Sequence, residues 1–131
     1  MHIMKILIAE DEKDIMTILT ITLEDVGHQV IAAKNGEECL EKYGDATLGE
    51  NATPPFDLVI LDHRMPKKSG MEVAKEILAR FPSQRVIIAT AYTKEIFKEV
   101  SSDIKNSLEF LQKPFELDKL IAVIDSKAKR K

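Results

Sequence analysis

The sequence predicts an α/β fold, a doubly wound sheet of five parallel strands with helices on both faces. Short apolar runs alternate with amphipathic segments five times along the chain. Three of those runs are apolar enough to be buried on both sides, as strands of a covered parallel sheet must be. The residues that end or follow the runs are acids, a threonine and a lysine, and the carboxyl ends of parallel strands are where such a sheet forms its ligand crevice.

In chain order, the first strand is Lys5 to Ala9. A helix follows in which Ile15, Ile18, Leu19, Thr22, Leu23 and Val26 recur at the spacing of one face, with Gly27 placed to end it. The second strand, Gln29 to Ala33, precedes a weaker helical pattern around Gly36 to Tyr43. The stretch Gly44 to Pro55 holds two Gly, an Asn and two Pro and reads as a long surface loop. The third strand is Leu58 to Asp62, and Met71, Ala74, Ile77, Leu78 and Phe81 mark its helix before Pro82. The fourth strand, Arg85 to Thr90, leads into another weak helix near Lys94 to Ser102. The fifth, Glu109 to Gln112, precedes a helix with Leu117, Leu120, Ile121 and Ile124 on one face. The first, third and fourth strands are expected at the centre of the sheet.

Composition narrows the function classes. With 131 residues, 44% hydrophobic and 31% charged, the chain suits one domain with a full core, taken as residues 1–131 with the core from about 4 to 127. A formal charge of −3 supplies no broad positive field, so direct nucleic-acid or membrane binding is not expected. The single cysteine, Cys39, forms no internal disulfide, and the apolar runs fall far short of the roughly 20 residues of a membrane span. Met1 to Met4 lack the features of a secretory signal, and a cytoplasmic location is expected.

The strand ends carry the chemistry. Strand one runs into Glu10, Asp11 and Glu12, strand three ends on Asp62, strand four on Thr90, and strand five runs into Lys113 and Pro114. Clustered carboxylates repel one another unless a cation sits among them, and hard oxygen donors suit Mg²⁺. A metal on one side of an acceptor carboxylate and an ammonium on the other would neutralise a transferred phosphoryl group.

Ile6-Leu7-Ile8-Ala9-Glu10-Asp11-Glu12, then Asp57 to Pro66 with Gly70 beyond, then Thr90-Ala91, then Lys113-Pro114-Phe115 resemble, in order, the four signatures of the response-regulator receiver family. They span Lys5 to about Lys127. The resemblance implies a flavodoxin-like (α/β)5 sheet of order 2-1-3-4-5. It implies a phosphorylation-activated switch in a two-component system, not an enzyme except toward its own phosphorylation and dephosphorylation. Asp62 would be the phosphoacceptor. Mg²⁺ would be held by the carboxylates of Asp11 and Asp62 and the backbone carbonyl of Arg64, with Glu10 acting through a metal-bound water. Lys113 would pair with the acceptor, while the Thr90 hydroxyl and Ala91 amide would bind a phosphoryl oxygen. Thr90 and Phe110 would form the switch, the Lys113-Pro114 bond would be cis, and the output surface would be helix four, strand five and helix five. The implied partners are a sensor histidine kinase or phosphotransfer protein and an unidentified downstream protein, with a homodimer through that output face as a candidate.

Plainer readings stand beside these. Glu10, Asp11, Glu12 and Asp14 lie where carboxylates cap a helix, and Thr90 could cap helix four. Lys113 alone would be a solvated charge, and Phe110 a packed strand residue. Alternation turns His63 away from the side of Asp62, so it is expected to face solvent. His28 and Cys39 have no partner at metal-ligand spacing and read as structural. Lys127, Lys129, Arg130 and Lys131 read as a solvated helix end. Two rival functions are a receiver-shaped interaction module that is never phosphorylated, and an enzyme. The second would be a flavodoxin-like cofactor binder or a haloacid-dehalogenase-type hydrolase, but Arg64 stands where that hydrolase needs a second Asp, and no Gly-rich phosphate loop is present.

The chain departs from the family pattern at four places. Glu10 stands where Asp is frequent, and its charge is unchanged. Arg64 and Tyr92 occupy variable positions that flank the path of a hydrolytic water, so the phosphorylated form is expected to be comparatively long-lived. The Gly44 to Pro55 loop is long but precedes a strand, which puts it at the end of the sheet away from the site. Ile104 to Leu108 lacks the Gly-Ala pair often found before strand five.

Overall fold

The three most apolar runs become the middle of the sheet. In the computed structural model, which describes residues 3–47, 53–100, 104 and 107–129, β1 (Lys5–Ala9), β2 (Gln29–Ala33), β3 (Leu58–Asp62), β4 (Val86–Thr90) and β5 (Leu108–Gln112) pair in the order β2-β1-β3-β4-β5. Every pairing is parallel. β3 and β4 are buried along their whole length, as helices on both faces require.

Alternation divides the strand side chains between two cores. Leu7, Ala9, Val59, Leu61, Val86 and Ile88 face α2 (Gly36–Ala46), α3 (Gly70–Arg80) and α4 (Thr93–Glu99). Ile6, Ile8, Leu58, Ile60, Ile87 and Leu111 face α1 (Lys13–Asp25) and α5 (Leu117–Lys129). The helix ends follow local chemistry. Gly27 takes a positive φ of 106° just past α1, a conformation that costs glycine little. Asn35 caps α2 by accepting from the Glu38 amide. Ser69 and Glu72 form a reciprocal capping box on α3.

Several expectations change. Ile18, placed on the inner face of α1, is 50% exposed, because Leu19 and Leu23 fill the contact with the sheet. The segment read as loop from Gly44 begins as helix, since α2 continues to Ala46; residues 48–52 of that reading lie outside the described residues. β4 starts at Val86, and Arg85 just before it turns its side chain to other elements while its carbonyl still accepts from the Val59 amide at 3.0 Å. Its guanidinium donates to both Glu109 oxygens at 2.7 and 3.1 Å and to the carbonyls of Ile124 and Val123 at 3.0 and 2.9 Å, fastening α5 to the sheet. α4 stops at Glu99, so the expected continuation to Ser102 fails at Val100, whose backbone is extended; residues 101–103 lie outside the described residues. The side chains of the basic end, Lys127, Lys129, Arg130 and Lys131, likewise lie outside the described ones. No helix among the described residues is long and apolar enough to cross a membrane.

Candidate functional site

Parallel pairing with matched register brings four strand ends to one rim. β1 stops at Ala9, and the Glu10 amide still donates to the Ala33 carbonyl at 3.0 Å, which holds the acidic run beside the end of β2. Asp62 closes β3 opposite Ala89, and the Lys113 amide donates to the Thr90 carbonyl at 2.9 Å. The approach of α3 fixes the far side of Asp62. A Cβ on Gly70 would lie 2.5 Å from the Asp62 carbonyl oxygen, so only glycine permits this contact.

The side chains converge as the backbone dictates. The Lys113 ammonium donates to Asp62 Oδ1 at 2.7 Å and lies 3.7 Å from Glu10 Oε1. One oxygen each from Glu10, Asp11 and Asp62 lies within 4.8 Å of the others. Asp11 is exposed, whereas Asp62 is 9% and Glu10 4% exposed; Asp11 and Asp62 line an open cleft of roughly 310 Å³, with Glu10 buried beside them. Asp11, Arg64, Thr90, Ala91, Tyr92 and Lys113 are among its lining residues.

Burial pushes the Glu10 carboxyl above its ordinary range, and the neighbouring Asp62 charge adds to this. The Glu12 amide, which donates to Glu10 Oε2 at 3.1 Å, and the Lys113 charge offset only part. For Lys113, burial works to lower the pKa, but the Asp62 hydrogen bond and the charges of Asp62 and Glu10 outweigh it, and the net direction is up. The ammonium is thus held charged beside its carboxylates. Three hard oxygen donors around a shared point, two of them largely withdrawn from water, are a donor set that a small divalent cation fits.

The remaining candidates take defined places. Thr90, 3% exposed, accepts from the Tyr92 amide through its hydroxyl at 3.1 Å. α4 begins at Thr93 with Tyr92 before it, so Thr90 is not the cap of that helix. The Arg64 guanidinium stacks over the Tyr92 ring at 4.7 Å, on the mouth of the cleft. Phe110 is half-buried and meets Phe97 edge to face at 5.7 Å. The Lys113-Pro114 peptide is cis. His63 is half-buried, not facing open solvent as alternation suggested, because the chain leaves the strand there and folds back, with the Gly70 amide on the His63 carbonyl. Gln112, which the sequence offered no reason to single out, bonds to two of the loops that border the cleft, those after β4 and β5. Its adjacency to Lys113 is the one trace of this in the sequence.

The family model for the response regulator receiver domain matches residues 6–125. The chain belongs to the response regulator receiver family. Receiver domains are phosphorylation switches of two-component systems, and Mg²⁺ binding at an acidic cluster is general to them. This receiver is 31% identical over 127 residues to the chemotaxis protein CheY of Listeria monocytogenes, covering 96% of this chain and 99% of that protein. It is 34% identical over 111 residues to the alkaline phosphatase synthesis transcriptional regulatory protein PhoP of Bacillus subtilis, covering 85% of this chain and 42% of that protein. The chain thus spans less than half the length of that relative. Among solved structures, the response regulator protein TrrA of Thermotoga maritima in complex with Mg²⁺-BeF superposes with a TM-score of 0.74 at 33% identity, covering 93% of this receiver and 96% of that chain.

Proposed function

We propose that this receiver accepts a phosphoryl group on Asp62 from a phosphohistidine, carried by a sensor histidine kinase or a phosphotransfer protein. The observation that carries the reading is the convergence of Glu10, Asp11 and Asp62 with the Lys113 ammonium at one rim. Bound Mg²⁺ would offset charge on the acceptor and the phosphoryl oxygens; Asp11, Asp62 and the Arg64 carbonyl would hold it, with Glu10 acting through a water. An Asp62 carboxylate oxygen attacks phosphorus, the phosphorus–nitrogen bond breaks, and the imidazole leaves with that electron pair. Lys113 then moves its contact from Asp62 to the phosphoryl oxygens, and the Thr90 hydroxyl and Ala91 amide take another oxygen. The Thermotoga relative, in complex with Mg²⁺-BeF, supports both parts of the site by likeness.

Output would pass through α4, β5 and α5, where Phe110 packs on Phe97, to a downstream protein or a second copy of the chain. Residues 1–131 are read as one receiver domain working in the cytoplasm, without direct contact to nucleic acid or membrane. Its own phosphorylation and dephosphorylation would be the only reactions it catalyses. Incubation with phosphoramidate and Mg²⁺, followed by intact mass measurement, tests the assignment. The wild-type chain should gain one phosphoryl group and Asp62→Asn none. Equal labelling of the two removes Asp62 from its role, and a folded wild type that never labels favours the unphosphorylated interaction module.

A further inference from the structure

The loop between β4 and α4 is held by a side chain from outside it. Gln112, the last residue of β5, donates through Nε2 to the Ala91 carbonyl at 2.8 Å and to the Lys113 carbonyl at 3.2 Å. Its Oε1 accepts from the hydroxyl of Thr93, the first residue of α4. The Ala91 carbonyl and the Tyr92 amide belong to one planar peptide unit. That unit is therefore gripped at both ends, its C=O by Gln112 and its N–H by the Thr90 hydroxyl at 3.1 Å. A peptide plane fixed this way cannot turn without giving up one of the two bonds.

We infer that Gln112 is a positioning residue that holds the β4–α4 loop in its resting arrangement and so sets how readily Thr90 and Ala91 move to a phosphoryl group. The inference rests on the assignment of Asp62 as acceptor. When Thr90 is drawn toward the phosphoryl oxygens, the grip on the Tyr92 N–H loosens while the Gln112 grip on the C=O persists. The loop's movement then works against the bonds to Ala91 and Thr93. Gln112 is exposed, so water competes for each of these bonds and the restraint is moderate.

The test replaces Gln112 with methionine, of similar length and without the amide, and separately Thr93 with valine. Amide hydrogen exchange at Tyr92 is measured in the metal-free protein, and the rate of labelling with phosphoramidate and Mg²⁺ is measured on the same samples. In Gln112→Met, Tyr92 exchange and the labelling rate should each rise about fivefold, the scale of one or two modest hydrogen bonds, with the melting temperature showing that the variant is folded. Thr93→Val should give a smaller rise in both. An unchanged Tyr92 exchange in folded Gln112→Met overturns the inference, as does an unchanged labelling rate in that variant when the wild type labels. A wild type that does not label counts against the acceptor assignment and leaves the exchange measurement able to read the restraint.

Discussion

At Asp62 one ammonium faces a group of carboxylates, and the balance is uneven. Glu10 is the most buried of the acids, and its pKa in the folded state is raised above the ordinary value of 4.5 by that burial. For an acid raised on folding, the stabilising contribution is complete below the unfolded pKa and is lost as pH rises through the folded one, so at neutral pH the Glu10 charge opposes folding. Glu10→Gln should therefore raise the melting temperature of the metal-free protein at pH 7 and weaken Mg²⁺ binding. A differential scan and a Mg²⁺ titration read both, and a lower melting temperature would contradict the argument. Arg64 and Tyr92 act at the cleft mouth. Their stacked pair, 4.7 Å apart, lines the cleft that holds Asp62, and with Asp62 as the proposed acceptor it would hinder an attacking water. Arg64→Ala should shorten the lifetime of the phosphorylated form by about threefold to tenfold, the scale of a barrier change near 1 kcal/mol, measured as the return of the mass to that of the unmodified chain. A lifetime that lengthens would sink this account.

Among the elements, α3 backs Asp62, the proposed acceptor. Its first residue, Gly70, lies against the Asp62 carbonyl, and the Ser69–Glu72 capping box fixes the turn just before it. Ser69→Ala removes the hydroxyl that accepts from the Glu72 amide and should cost about 1 kcal/mol, read by urea denaturation. The Glu72 carboxyl is held below its usual range, first by the Ser69 amide and then by its side chain. An acid depressed in this way stabilises above its unfolded pKa and loses that contribution as pH falls through the folded value, so the gap between Ser69→Ala and wild type should narrow under acid. A gap that widens would contradict this. On the other face, α5 is fastened through Arg85, whose guanidinium bridges Glu109 of β5 and the Val123 and Ile124 carbonyls of the helix.

Over the whole molecule, one sheet separates two apolar layers, and each strand contributes to both. The layers should be lost together, as is usual for a small domain. Cys39 reports on this. It is fully buried on α2, and burial pushes its thiol up to about 12, so a thiol reagent at neutral pH should reach it only when the fold opens. Labelling of Cys39 across a urea series should share its midpoint with the loss of circular dichroism. Rapid labelling in native buffer would show instead that α2 opens on its own.

The strand assignments could be read from the chain because burial on both faces leaves a run of Val, Ile and Leu that tolerates little else, as in β3 and β4. Asp11, Asp62 and Thr90 were legible for a related reason, since each ends or follows such a run; Lys113 follows the less buried fifth strand, and parallel strands present their carboxyl ends on one side. Local sequence carried less about helix faces and loops. Ile18 has the spacing of a core residue, yet its exposure depends on how α1 rolls against a sheet built from distant segments. The grip of Gln112 on Ala91 and Thr93, the stacking of Arg64 on Tyr92 and the half-burial of His63 join residues 19 to 28 positions apart or turn on a chain reversal. The order of residues thus determined which segments become strands and which end of them carries charge. Only packing decided which side chains meet across that end, because such contacts depend on the relative placement of elements that share no local pattern.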